Sequence, residues 1–133
     1  MTQAHSASTA ILDGLPAKVR AEVLKSAKRR TFAPGEVLVH EGDSGLYLFI
    51  VESGHAHIDV GGRGEVARIG PGDFFGEQAL LDDRDHVRTA TVTADDELTC
   101  VLIPAWEYKS LLETHPAMAL PMLRRLIARL HGH

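Results

Sequence analysis

The chain is poor in several things that would have decided its class at once. It has one cysteine, Cys100, so no internal disulfide can form, which fits a reducing compartment. Aromatic residues make up only 5% of its 133 positions. No apolar run approaches the roughly 20 residues that span a bilayer as a helix. The first ten residues are polar and small and lack the apolar stretch of a secretion signal. Basic residues are in deficit: the formal net charge is -4, against the chain as a whole being a DNA-binding module. A small cationic pocket is still compatible with that balance. These features predict a cytoplasmic protein with a disordered tail over 1–10 and a single domain over 11–133.

What is present reads as helix, then strands, then helix. Pro16 suits a helix start, because its missing N–H is not needed there. Val19, Val23, Leu24 and Ala27 then form one apolar helical face, with Arg20, Glu22, Lys25 and Lys28 mostly off it. After Arg30 the period changes to two. Short apolar runs at 37–40, 46–52, 55–60, 65–69, 88–93 and 98–103 alternate with glycine turns. That spacing predicts a mainly β sandwich or barrel with flanking helices. Pro104 opens a helical stretch through Glu113, Thr114-His115-Pro116 is a stop and restart, and a further kink or restart is expected near Pro121. Leu120, Leu123, Leu126, Ile127 and Leu130 then make an amphipathic stripe beside Arg124, Arg125 and Arg129, which read as a solvated face, with a base cap or a partner contact as the alternative.

One loop, from Phe75 to Val92, departs from this rhythm. Gly76 allows close backbone approach by a ligand. Glu77 to Leu81 holds good helix formers, and the start of a short helix there would offer unpaired N–H groups to a phosphate. Arg88 can grip a phosphate with two parallel hydrogen bonds, and Glu77 can accept one from a sugar hydroxyl.

Phe75-Gly76-Glu77-x-Ala79-Leu80-Leu81 followed by Arg88-Thr89-Ala90-Thr91-Val92 resembles the phosphate-binding cassette of the cyclic-nucleotide-binding domains. These are found in the catabolite activator protein, kinase regulatory subunits and nucleotide-gated channels. Pro34-Gly35-Glu36, Glu41-Gly42-Asp43, Phe49-Ile50-Val51 with Gly54, and Pro71-Gly72-Asp73-Phe74 match the wider frame. The resemblance covers residues 11–130. It implies an antiparallel, jelly-roll-like β-roll with a short phosphate-binding helix and a C-terminal helical lid. It also implies that Arg88 and the Ala79 N–H hold the cyclic phosphate, that Glu77 and the Gly76 backbone hold the ribose 2′-OH, and that Thr89 faces the purine. Thr89 leaves cyclic AMP and cyclic GMP both open. The interval from Glu77 to Arg88 is longer than is usual in the family, and it carries Asp82, Asp83 and Asp85.

The reading is a ligand sensor with no catalytic residues, no cofactor beyond the nucleotide and no metal, since no nucleophile with an adjacent base is evident. Two alternatives are carried with it. One is a β-roll regulatory or interaction domain that no longer binds a nucleotide. The other is a cupin-like metal enzyme using His40, His55 and His57. Cys100 alternates with Leu98 and Leu102 and is expected to be a buried strand residue; Trp106 and Tyr108 are expected in core or lid packing. A second copy or a protein partner could contact the C-terminal helix. No helix-turn-helix motif follows that helix in the sequence, and no kinase inhibitory segment or channel pore precedes the roll. That leaves either a stand-alone sensor or one domain of a larger protein.

Overall fold

A computed structural model describes residues 12, 14–39, 47–59, 65–76 and 90–131, and only the backbone of 65, 66 and 129–131. The expectations placed on 1–10, His40, the 41–45 turn, Leu46 and the 61–64 hairpin loop lie outside the described residues.

Helix α1 spans Ala17–Ser26, preceded by Pro16. Val23 is buried, and Val19, Leu24 and Ala27 pack around it, as their spacing requires. The helix ends before Lys28. The next segment is strand β1, Lys28–Phe32, although the apolar spacing of α1 and the period change after Arg30 place Lys28 to Arg30 with the helix. It pairs antiparallel with β8, Leu98–Pro104, over its whole length. Only Phe32 of its five residues is buried. Two cations lie over rings on the same strand face: the Arg30 guanidinium 4.9 Å from the Phe32 ring centre, and Lys28 Nζ 6.0 Å from that of Tyr47.

The remaining strands are β2 (Val37–Val39), β3 (Tyr47–Ser53), β4 (Ala56–Asp59), β5 (Glu65–Ile69), β6 (Phe74–Phe75) and β7 (Thr91–Ala94). Among the described residues they form two four-stranded sheets, ordered β1-β8-β3-β6 and β2-β7-β4-β5, and every pairing is antiparallel. This is the jelly-roll-like β-roll that the sequence implied.

Two apolar clusters hold the layers together. Phe32, Val39, Phe49, Val51, Ala56, Ile58, Ile69, Phe75, Val92, Ala94, Leu98, Cys100 and Leu102 fill the space between the sheets. The second cluster lies on the other face of the first sheet. There Leu48, Ile50, Phe74, Val101 and Ile103 meet Leu12, Leu15, Val23, Tyr108, Met118 and Met122. Each buried Val, Leu, Ile, Phe or Met among them stabilises the fold by about 1.5–3 kcal/mol relative to exposure. Cys100 is fully buried, as its alternation with Leu98 and Leu102 indicated.

Helix α2 spans Ala105–Thr114, starting just after Pro104. A 3₁₀ turn at Pro116–Met118 follows, and α3 runs through Ala119–His131. The stop and restart fall at His115 and Pro116, as that triplet indicated, and no second restart occurs near Pro121. Pro121 sits within the first turn of α3, where its missing N–H leaves no gap in the ladder. Tyr108 is buried, but Trp106 is 74% exposed and packs in no core. Two residues along a helix turn the side chain to the opposite face, so both could not point inward.

Candidate functional site

The loop that the sequence singled out begins at a tightly held turn. Gly70-Pro71-Gly72-Asp73 has proline second and a glycine at φ +92° third, the pattern of a type II turn. The Asp73 N–H donates to the Gly70 carbonyl at 3.0 Å, and Asp73 Oδ2 accepts the Gly70 N–H at 2.9 Å. The turn is also bound to β3: the Val51 N–H donates to the Asp73 carbonyl at 2.8 Å, and the Gly72 N–H to the Val51 carbonyl at 3.0 Å.

Strand β6 follows at once and pairs Phe74 and Phe75 with Ile50 and Phe49. The two phenylalanines point to opposite faces. Phe74 enters the helix-facing core, and Phe75 stacks on Phe49 between the sheets, with ring centres 4.6 Å apart. Gly76 leaves the strand at φ +90°. A side chain is disfavoured in that backbone conformation, so the exit direction depends on glycine. The chain is described again from Ala90, and β7 lies between β2 and β4 in the other sheet. The two ends of the loop are thus fixed on different sheets, β6 at the edge of the first and β7 inside the second. Of the site residues drawn from the sequence, Gly76 stands at the strand exit. Glu77, Ala79, Arg88 and Thr89 lie outside the described residues.

Charged groups around this frame are paired across elements that are distant in the chain. Asp73 Oδ1 lies 3.4 Å from Nη1 of Arg125 on α3, so Arg125 is not simply solvated. Arg29 on β1 reaches across β8 to Glu52 on β3, with Nε and Nη2 each 3.0 Å from a carboxylate oxygen. That hydrogen bond raises the Arg29 pKa. The two histidines considered as metal ligands instead meet carboxylates of the turn between β7 and β8. His55 Nδ1 is 2.8 Å from Asp96 Oδ2, and His57 Nδ1 is 2.6 Å from Asp95 Oδ1. The His55 contact holds the Asp96 carboxyl below its ordinary range. Among the described residues, no three His, Cys, Asp or Glu side chains converge as a metal site. Burial, with the Glu52 charge second, pushes the Cys100 thiol up to about 12, which keeps it protonated and unreactive. No described helix is long and apolar enough to cross a membrane.

Comparison with known proteins agrees with this frame. The family model of the cyclic nucleotide-binding domain matches residues 29–115. The cAMP-dependent protein kinase regulatory subunit of Hypocrea atroviridis is 38% identical over 85 residues, 64% of this chain but only 18% of that protein's length. The N-terminal domain of a transcriptional regulator from Streptomyces coelicolor A3(2) superposes with a TM-score of 0.68 at 30% identity, covering 98% of this chain and 92% of that one. The Thermus thermophilus catabolite activator protein gives a TM-score of 0.72 at 27% identity, covering 91% of this chain and 58% of the other. With the family model spanning most of the chain, and the two-sheet roll and the β6–Gly76 exit in place, the chain belongs to the cyclic nucleotide-binding domain family.

Proposed function

We propose that this chain is a cyclic-nucleotide sensor and not an enzyme. It binds cyclic AMP or cyclic GMP between Gly76 and Thr89 and signals through α3. The observation that carries this reading is the cassette sequence, Gly76-Glu77-x-Ala79 with Arg88-Thr89, entered from a strand exit that depends on glycine. Arg88 supplies the fixed charge and the Ala79 N–H a further donor for the cyclic phosphate. Glu77 and the Gly76 backbone take the ribose 2′-OH, and Thr89 faces the base. Recognition of this kind breaks no bond.

Binding can move α3 only if the nucleotide favours one helix position over another. On α3, Leu120, Leu123 and Ile127 are all more than half exposed and follow one another at helical spacing. That row supports a contact with a partner or a second copy. A second reading, a regulatory domain that takes no nucleotide, draws support from the acidic Asp82, Asp83 and Asp85 beside Arg88.

Calorimetry with cyclic AMP, cyclic GMP and linear AMP separates the two. The sensor gives saturable heat with a cyclic nucleotide, and Arg88→Ala weakens it by about tenfold to a hundredfold, because the phosphate charge loses its partner. Absence of heat with every cyclic nucleotide would establish the second reading.

A further inference from the structure

Asp73 serves two neighbours at once. Its Oδ2 closes the 70–73 turn through the Gly70 N–H, and its Oδ1 faces Arg125 of α3 at 3.4 Å. The turn itself is bound to β3 through Val51. Immediately beyond it come β6 and Gly76. Arg125 sits on the side of α3 that meets the roll. Met122 is buried in the helix-facing core, and Leu126 packs against it. Beside these apolar contacts, Arg125 gives α3 a charged link to the roll. The link ends at the entrance of the cassette.

We propose that the Asp73–Arg125 pair is a latch. It holds α3 against the cassette entrance, so that nucleotide occupancy and helix position depend on each other, with Arg125 acting as a positioning residue. The ligand half of this proposal rests on the nucleotide-site reading; the helix half rests on the pair alone. The side chains are 40% and 21% exposed, so the attraction is screened and weak enough to open reversibly. Opening leaves the Asp73–Gly70 bond in place, and the turn survives the movement. Because the coupling is reciprocal, a nucleotide that favours the held helix tightens the latch, and the latch tightens nucleotide binding by the same factor.

The test has two arms. In the first, hydrogen exchange of the α3 amides is followed in nucleotide-free protein. Arg125→Ala and Asp73→Asn each speed exchange about two- to five-fold. The asparagine can still accept the Gly70 N–H, so its effect reports the lost charge. The double variant adds nothing further, Arg125→Lys stays near wild type, and high salt speeds wild type alone. Unchanged exchange in both single variants, or additive effects in the double variant, overturns the latch. In the second arm, calorimetry with the cyclic nucleotide that wild type takes shows Arg125→Ala weakening binding by up to that factor, while Arg124→Ala, at an exposed neighbouring position, does not. Unchanged affinity in Arg125→Ala overturns the coupling and leaves the nucleotide site standing. Wild-type protein that takes no cyclic nucleotide overturns that site and the coupling together, and the exchange arm then decides the latch by itself.

Discussion

The two sheets of the roll carry different sequence patterns because they are covered differently. In the first sheet, four consecutive residues of β3, Leu48 to Val51, are buried, and so are Cys100 to Ile103 of β8. One face packs on the second sheet and the other on the helices, so neither alternate position can be polar. In the second sheet, β4 and β7 alternate. Ala56, Ile58, Val92 and Ala94 are buried, while His57, Asp59, Thr91 and Thr93 are partly exposed. Continuous apolar runs thus mark strands covered twice, and alternation marks strands covered once. The polar face left on the second sheet is where His57 meets Asp95.

The sharpest way to break this contrast is at β6, where two identical neighbours serve different layers. Phe74→Ala and Phe75→Ala should each cost about 3–5 kcal/mol in denaturant unfolding. Hydrogen exchange should separate them. The first loosens α2 and α3, and the second loosens the strands that face each other between the sheets. Equal loosening of both layers by either variant would remove the division into two cores.

Alternation in the second sheet predicts the next largest difference. Ile58→Ala should cost about 2–5 kcal/mol, whereas Thr93→Ala on the other face should stay within about 0.5 kcal/mol. Similar losses at both positions would mean that both faces of this sheet are covered. Smaller again is the Arg29–Glu52 link across the first sheet. It is partly exposed, so a double-mutant cycle should give a coupling of about 0.2–1 kcal/mol that fades with salt. The smallest effect is a pH dependence at the turn that borders the second sheet. Asp96 ionises more readily in the folded state, below its ordinary value of 3.8. Its contribution is therefore present above about pH 4 and is lost as the pH falls through the lowered value. Melting temperatures of wild type and Asp96→Asn should differ at neutral pH and converge in acid. A constant difference down to pH 3 would remove Asp96 from the account.

By itself the sequence determined the class of the fold and carried the motif on which the proposed site rests. Apolar runs such as Leu48 to Val51, the Pro71-Gly72 turn and the Pro116 restart are local signals: each is decided by burial or backbone geometry within a few residues. The proposed cassette is a local motif in the same sense: Gly76 and Arg88, the glycine and the cation that the proposal assigns to a phosphate, are both visible as letters. Tertiary structure alone decided the rest. Lys28-Arg29-Arg30 has no strand pattern of its own; it is extended because β8 offers a free edge with which it pairs from Lys28 to Phe32. Trp106 and Tyr108 look equivalent in sequence until the rotation of α2 sends them to opposite faces. His55 and His57 alternate as a solvated strand face would, with metal ligation as the lesser alternative, and only the β7–β8 turn placed Asp96 and Asp95 beside them. The pairing of Asp73 with Arg125 joins residues distant in the chain, and only the packing of α3 on the roll brings them together. Local chemistry is written in adjacent residues, but a charge finds its partner only once the layers have packed.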